Sequence, residues 1–103
     1  MTIRNVQLGL TETEILVASG ETAVLAILFC NNDTVTRTIT IYCYPSGGSA
    51  SEATTIITSM SIACKDTWIF SGNEKLLLDT GSKITAICDL ASKVTATPSY
   101  KVL

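Results

Sequence analysis

The sequence predicts an all-β chain, a single antiparallel β-sandwich over residues 1–103 with jelly-roll or immunoglobulin-like topology. Three observations carry this. Short runs rich in Val, Ile, Thr and Tyr recur along the chain, as a half-buried pleated surface requires. Clusters of Gly, Ser, Asn, Asp and Pro separate them at intervals of 8 to 12 residues, the rhythm of a two-sheet fold. No stretch shows the 3.6-residue apolar period of an amphipathic helix.

The runs fall near 2–9, 13–18, 22–31, 35–44, 54–62, 66–70, 75–78, 83–90 and 93–102. "SGE", "NND", "PSGGSAS", "CKD", "SGN", "DTGS" and "LASK" bound them as turns. In "VTRTITIYCY" one face carries Val35, Ile39, Ile41 and Cys43, interrupted by Arg37, and the other carries threonines and tyrosines. That alternation describes a strand with one dry and one wet face. "KITAICDL" turns Ile84, Ala86, Cys88 and Leu90 inward, and Val94 and Ala96 continue the set opposite Thr95 and Thr97. Pro98 has no N–H to give a ladder, so the last strand is expected at a sheet edge, or to stop pairing there. The longest loop, "YPSGGSASEATT", reads as a surface excursion.

One strand breaks the pattern. "AVLAILFC", residues 23–30, is apolar at all eight positions. Regular alternation places Ala23, Leu25, Ile27 and Phe29 on one face and Val24, Ala26, Leu28 and Cys30 on the other. One sandwich core covers one of these sets. The second needs cover from the N-terminal segment or from another subunit, because each large side chain left wet forgoes roughly 1.5–3 kcal/mol of burial. In "KDTWIFSG", Trp68, Ile69 and Phe70 pose the same problem. The expected interface residues are therefore Leu25, Ile27, Phe29, Trp68 and Phe70, with Trp68 as contact anchor or as a sandwich-core tryptophan.

Composition narrows the function classes. At 103 residues, 47% hydrophobic and 16% charged, one folded domain is expected. Seven basic residues are scattered singly in a chain of net charge −2, so no stripe exists to neutralise a phosphate backbone and no nucleic-acid partner is expected. The apolar run is too short to span a bilayer as a helix, and no membrane association is expected. "MTIRNVQLGLTETE" lacks the apolar core of a secretory signal, which places assembly in the cytoplasm. Asn32, Asp33 and Thr34 match a glycosylation acceptor but read as turn chemistry in a chain that is not exported. Cys30, Cys43, Cys64 and Cys88 have no C-x-x-C spacing, and there is no histidine. Free thiols are expected, with no metal and no cofactor. If "NNDT" is a hairpin turn, Cys30 and Cys43 lie at opposite ends of that hairpin, beyond disulfide reach.

Catalysis is not expected. Without histidine, Ser/His/Asp and Cys/His nucleophilic pairs are ruled out. Glu12 and Glu14 share a strand face, a spacing that reads as solvent exposure rather than an acid/base pair. "LLLDTGS", residues 76–82, resembles the active-site turn of aspartic proteases, with Asp79 as the carboxylate. That family places this turn early, with a flap and a second apolar-apolar-glycine segment downstream. Only 24 residues follow Asp79 here, and Gly81 is their one glycine. A β-turn with Gly81 at positive φ accounts for the same residues, and an aspartic-protease-like dimer using Asp79 remains a remote alternative.

The order of motifs carries a resemblance: "NVQL", an apolar strand ending "FCN", a threonine-rich strand ending "YPSGGSAS", then "SIACKDTW", "EKLLLDTGSKI" and "VTATPSY". Together they resemble the small all-β virion proteins of tailed bacteriophages over nearly the whole chain. The resemblance implies a virion structural protein without catalytic residues. In that reading the partners are further copies of the chain, as a homo-oligomer, trimers included, and other virion proteins such as the major capsid protein. The role implied is capsid cement or decoration, with a tail, neck, baseplate or fibre module as the alternative.

Overall fold

The computed structural model describes residues 2–103, and side chains throughout except at 2–3 and 71–75. Nine strands form two antiparallel sheets packed face to face: β1 (Thr2–Ile3), β2 (Val6–Gln7), β3 (Thr13–Val17), β4 (Thr22–Asn31), β5 (Arg37–Tyr44), β6 (Thr55–Ile62), β7 (Thr67–Leu78), β8 (Lys83–Cys88) and β9 (Val94–Val102). A single 3-10 turn, Glu52–Thr54, lies between β5 and β6. The first sheet runs β1-β9-β4-β7, with β2 also on β9, and the second runs β3-β8-β5-β6. Every connection from β2 onward crosses between the sheets except β5 to β6. This decides between the two expected topologies. An immunoglobulin sandwich keeps its first and second, fourth and fifth, and sixth and seventh strands as sheet neighbours; continual crossing is the jelly-roll order.

The core is the space between the sheets. Ile27 and Phe29 from β4, Ile39 and Ile41 from β5, and Ile84 and Ala86 from β8 are fully buried there. β5 and β8 follow the predicted alternation at Ile39, Ile41, Ile84, Ala86 and Cys88, but Tyr44 and Thr85 on the opposite face are buried too, Cys43 is half-buried, and Val35 and Leu90 fall outside the strands and are exposed. Arg37, which interrupts the apolar face, is held at its end by Asp33 at 2.8 Å and Asp89 at 3.8 Å.

The structure departs from the sequence reading in the connections and strand bounds. The "NNDT" segment is not a hairpin: it carries the chain from β4 in one sheet to β5 in the other. Buried Asn31 organises that crossing, its amide donating to the carbonyls of Val35 (3.0 Å), Ile62 (2.9 Å) and Ala63 (3.2 Å) while its oxygen accepts the Asp33 N–H. The four cysteines are free, with Cys30 and Cys43 on strands of opposite sheets.

The expected strand 2–9 is split at Arg4 and Asn5, and β9 is interior rather than an edge. Pro98 explains the split. β9 pairs with β4 throughout, Pro98 opposite Ile27, whereas on its other side the ladder stops after Ile3↔Ser99 and resumes at Val6↔Ala96. The missing N–H falls in that gap, where Thr97 Oγ1 donates instead to Asn5 Oδ1 at 2.8 Å.

Runs 66–70 and 75–78 are one strand. Both halves of β7 pair with the continuous β4, and the register shifts between Val24↔Leu76 and Ala26↔Ser71. The surplus residues of "SGN" are taken up in that shift, because a turn there would take the second half off β4.

Candidate interaction surface

Which residues of β4 face out is set by a bulge. Thr22 and Val24 are buried, and so are Ile27, Phe29 and Asn31. Between them the register of β4 shifts against both neighbours: against β9 Leu25 is the extra residue, whereas against β7 the surplus lies on β7. One extra residue reverses the side of everything beyond it. The inward set is thus Thr22, Val24, Ile27, Phe29 and Asn31, and the outward set contains Ala23, Ala26, Leu28 and Cys30. Neither set predicted from strict alternation survives intact.

Of the expected interface residues, Ile27 and Phe29 are corrected: both are 0% exposed within the single chain. A side chain with no accessible surface has nothing to offer a partner, and these two fill the intersheet core. Leu25 is half-buried at the bulge. Trp68 and Phe70, opposite Phe29 and Ile27 in register, pack from the edge strand β7 against the core and are half-buried. Trp68 stacks on Phe29 with ring centroids 5.7 Å apart, and Phe70 lies 6.2 Å from Trp68.

The outward positions carry the open apolar surface. Leu28 is 39% exposed and sits beside Ile69, which is 57% exposed, as a cross-strand pair. Leu77, 64% exposed, stands opposite Ala23 further along the same two strands. On the other flank, β9 contributes Thr95, Thr97, Ser99 and Lys101 opposite Cys30, Leu28, Ala26 and Ala23. β1 and β2 pair at the sheet edge beyond β9, so the N-terminal segment does not fold over this face. Leu28, Ile69 and Leu77 were missed because alternation separates the two faces of a strand without saying which of them meets the core; the apolar character of both faces was the signal available.

The outer face of the second sheet is different. The Tyr44 hydroxyl donates to the Glu12 carboxylate, and Lys83 Nζ donates to Glu14 Oε2 at 2.7 Å. The Tyr44 hydroxyl holds the Glu12 carboxyl below its usual range, and the Glu12 bond pushes Tyr44 up. Glu14 raises Lys83 in the same way. Thr85, between Glu14 and Tyr42 in register, is wholly buried; its hydroxyl lies beside Glu12 outside hydrogen-bond geometry. Beside this ion pair and hydrogen bond, the strands of the second sheet also expose the apolar side chains of Val17 and Ile56.

The "DTGS" stretch is a β-turn joining β7 to β8. The Ser82 N–H donates to the Asp79 carbonyl at 3.0 Å, and Gly81 adopts φ +85°. Asp79 is exposed on it. Among the described residues no group of His, Cys, Asp and Glu is placed to hold a metal ion, and no helix is long and apolar enough to cross a membrane.

No protein-family model, curated protein or solved structure matches the chain.

Proposed function

We propose that this chain is a structural protein of a tailed-phage virion, a cement or decoration protein that joins other copies of itself to the outer surface of the capsid. The observation that carries the reading is the uncovered face of the first sheet, where Leu28, Ile69 and Leu77 form an apolar surface on strands whose other sides are packed in the core. Water contact there sacrifices burial energy that a protein partner restores. The order of sequence motifs, similar to that of small phage virion proteins, supplies the setting. The mechanism is passive: apolar area and strand edges buried across joints between subunits add cohesion without chemistry.

Quantitative mass spectrometry and cryo-electron microscopy of purified particles test the reading. Hundreds of copies per particle on the capsid surface are expected. A few to dozens would move the protein to the tail, neck, baseplate or fibre, and absence from particles would overturn a virion role.

A further inference from the structure

We propose that Ser59, an extra residue in β6, closes that edge of the second sheet to pairing with another strand. The inference does not depend on the virion role, and it limits how copies of the chain can meet.

β6 ends the order β3-β8-β5-β6: it pairs with β5, and no strand among the described residues lies on its other side. An edge strand offers a free row of N–H and C=O groups to any extended chain, and charges or proline usually discourage the pairing. The longer edge strands β3 and β7 contain charged residues in sequence, Glu14 in one and Glu74 and Lys75 in the other. β6, "TIITSMSI", has neither charge nor proline over its 8 residues. A neutral, β-prone segment of this kind adds readily to its own copies when it is straight.

The backbone supplies what the side chains lack. Ile39 pairs with Met60 and Ile41 with Ile57, so Thr58 and Ser59 together oppose the single residue Thr40. A second shift follows at Ile56, between the pairs Ile41↔Ile57 and Tyr42↔Thr55. Ser59 adopts φ +50°, in the left-handed region that side chains disfavour, and its N–H donates to Thr40 Oγ1 at 3.2 Å. Such a bulge bends the strand and breaks the even spacing of donors and acceptors that a ladder requires. The core does not need it. Ile57, Met60 and Ile62 pack against the core, and without Ser59 the first two would stand two residues apart, on one face and still opposite Ile41 and Ile39. The strained residue is therefore accounted for at the edge and not in the interior.

Deletion of Ser59 tests this. The shortened chain is expected to keep the circular dichroism of the wild type and to self-associate, with light scattering and thioflavin T binding growing at least about tenfold faster. Ser59→Val, whose β-branched side chain resists positive φ, should shift in the same direction without shortening the chain. Ser59→Gly keeps the bulge at less strain and should match the wild type. Thr58→Lys added to the deletion should restore wild-type behaviour, because a charge on the straightened edge discourages a second strand. A folded deletion variant that associates no faster, or association that Thr58→Lys leaves unchanged, overturns the proposal. Unfolding of both the deletion variant and Ser59→Val would assign the bulge to folding and overturn it as well.

Discussion

Trp68 stacks on Phe29 across the β4–β7 ladder, with ring centroids 5.7 Å apart and planes inclined by 27°. The pair closes the core at its open edge, with Phe29 fully buried and Trp68 half-exposed. Phe29→Ala should therefore cost about 3–5 kcal/mol and Trp68→Ala less, as the indole loses only its buried side. Phe29→Glu should fail to fold rather than merely dissociate. Urea unfolding followed by the single tryptophan, with circular dichroism for the tryptophan variant, checks the order. Equal costs for the two alanine variants would contradict this packing.

Gly81 and Gly47 share a conformation but not an environment. Their φ angles are +85° and +84°, so either glycine replaced by alanine meets backbone strain of about 1 kcal/mol. At Gly81 an added Cβ would also come within 2.9 Å of Ser46 Cβ, whereas at Gly47 nothing lies within 4 Å. Gly81→Ala is expected to lower the melting temperature clearly more than Gly47→Ala. Melting curves giving the reverse order would refute the contact between the two turns.

Asn31 ties the β4–β5 crossing to the β6–β7 turn through its three acceptors. Asn31→Leu preserves the side chain's bulk and strands those carbonyls, and a buried acceptor without a partner costs about 1–3 kcal/mol. A loss of at least about 2 kcal/mol in denaturant midpoint analysis is expected. Faster amide exchange at Asp33, whose N–H bonds to the Asn31 oxygen, should accompany it.

Thr85 offers the opposite case. Its hydroxyl is buried and makes no hydrogen bond of proper geometry, so Thr85→Val removes a desolvated group at nearly constant volume. Stability is expected to hold or rise by up to about 1 kcal/mol. A loss greater than that would show that the hydroxyl bonds Glu12 in solution.

Stability should decline at both ends of the pH scale. The Tyr44 hydroxyl lowers Glu12, and the Thr34 N–H, followed by Arg37, lowers Asp33. A carboxyl lowered in the folded state stabilises above its unfolded value, and that contribution disappears as pH falls through the folded value. The loss therefore begins within the ordinary carboxylate range and deepens below it. Tyr44 and Lys83 are raised, by Glu12 and Glu14 respectively; their contribution is complete below the unfolded values near pH 10 and disappears as pH rises through the folded ones. Melting temperatures measured across pH check both limbs, and Tyr44→Phe should flatten each of them. An unchanged acid limb in that variant would remove the Tyr44–Glu12 bond as its cause.

Local periodicity made much of this fold legible. Ile39 and Ile41 against Thr38 and Thr40, or Ile84 and Ala86 against Lys83, declare their faces by alternation alone, because successive side chains in a pleated strand point to opposite sides. Gly81 declared its turn because few other residues tolerate positive φ there. Pro98 signalled a broken ladder, but not that the break would fall in β1 and β2 while β9 itself stayed interior. The open face itself was legible only as a surplus: residues 23–30 held more apolar side chains than one core could take.

The sequence by itself determined an antiparallel sandwich and a strand apolar on both faces, since composition and period are local properties. Only the tertiary structure decided that Phe29 lies inside and Leu28 outside. The bulge at Leu25 arises from the register β4 keeps with β9, and that partner lies tens of residues away along the chain. An inserted residue reverses facing for the rest of its strand, and no reading confined to that strand reveals where neighbouring ladders force the insertion.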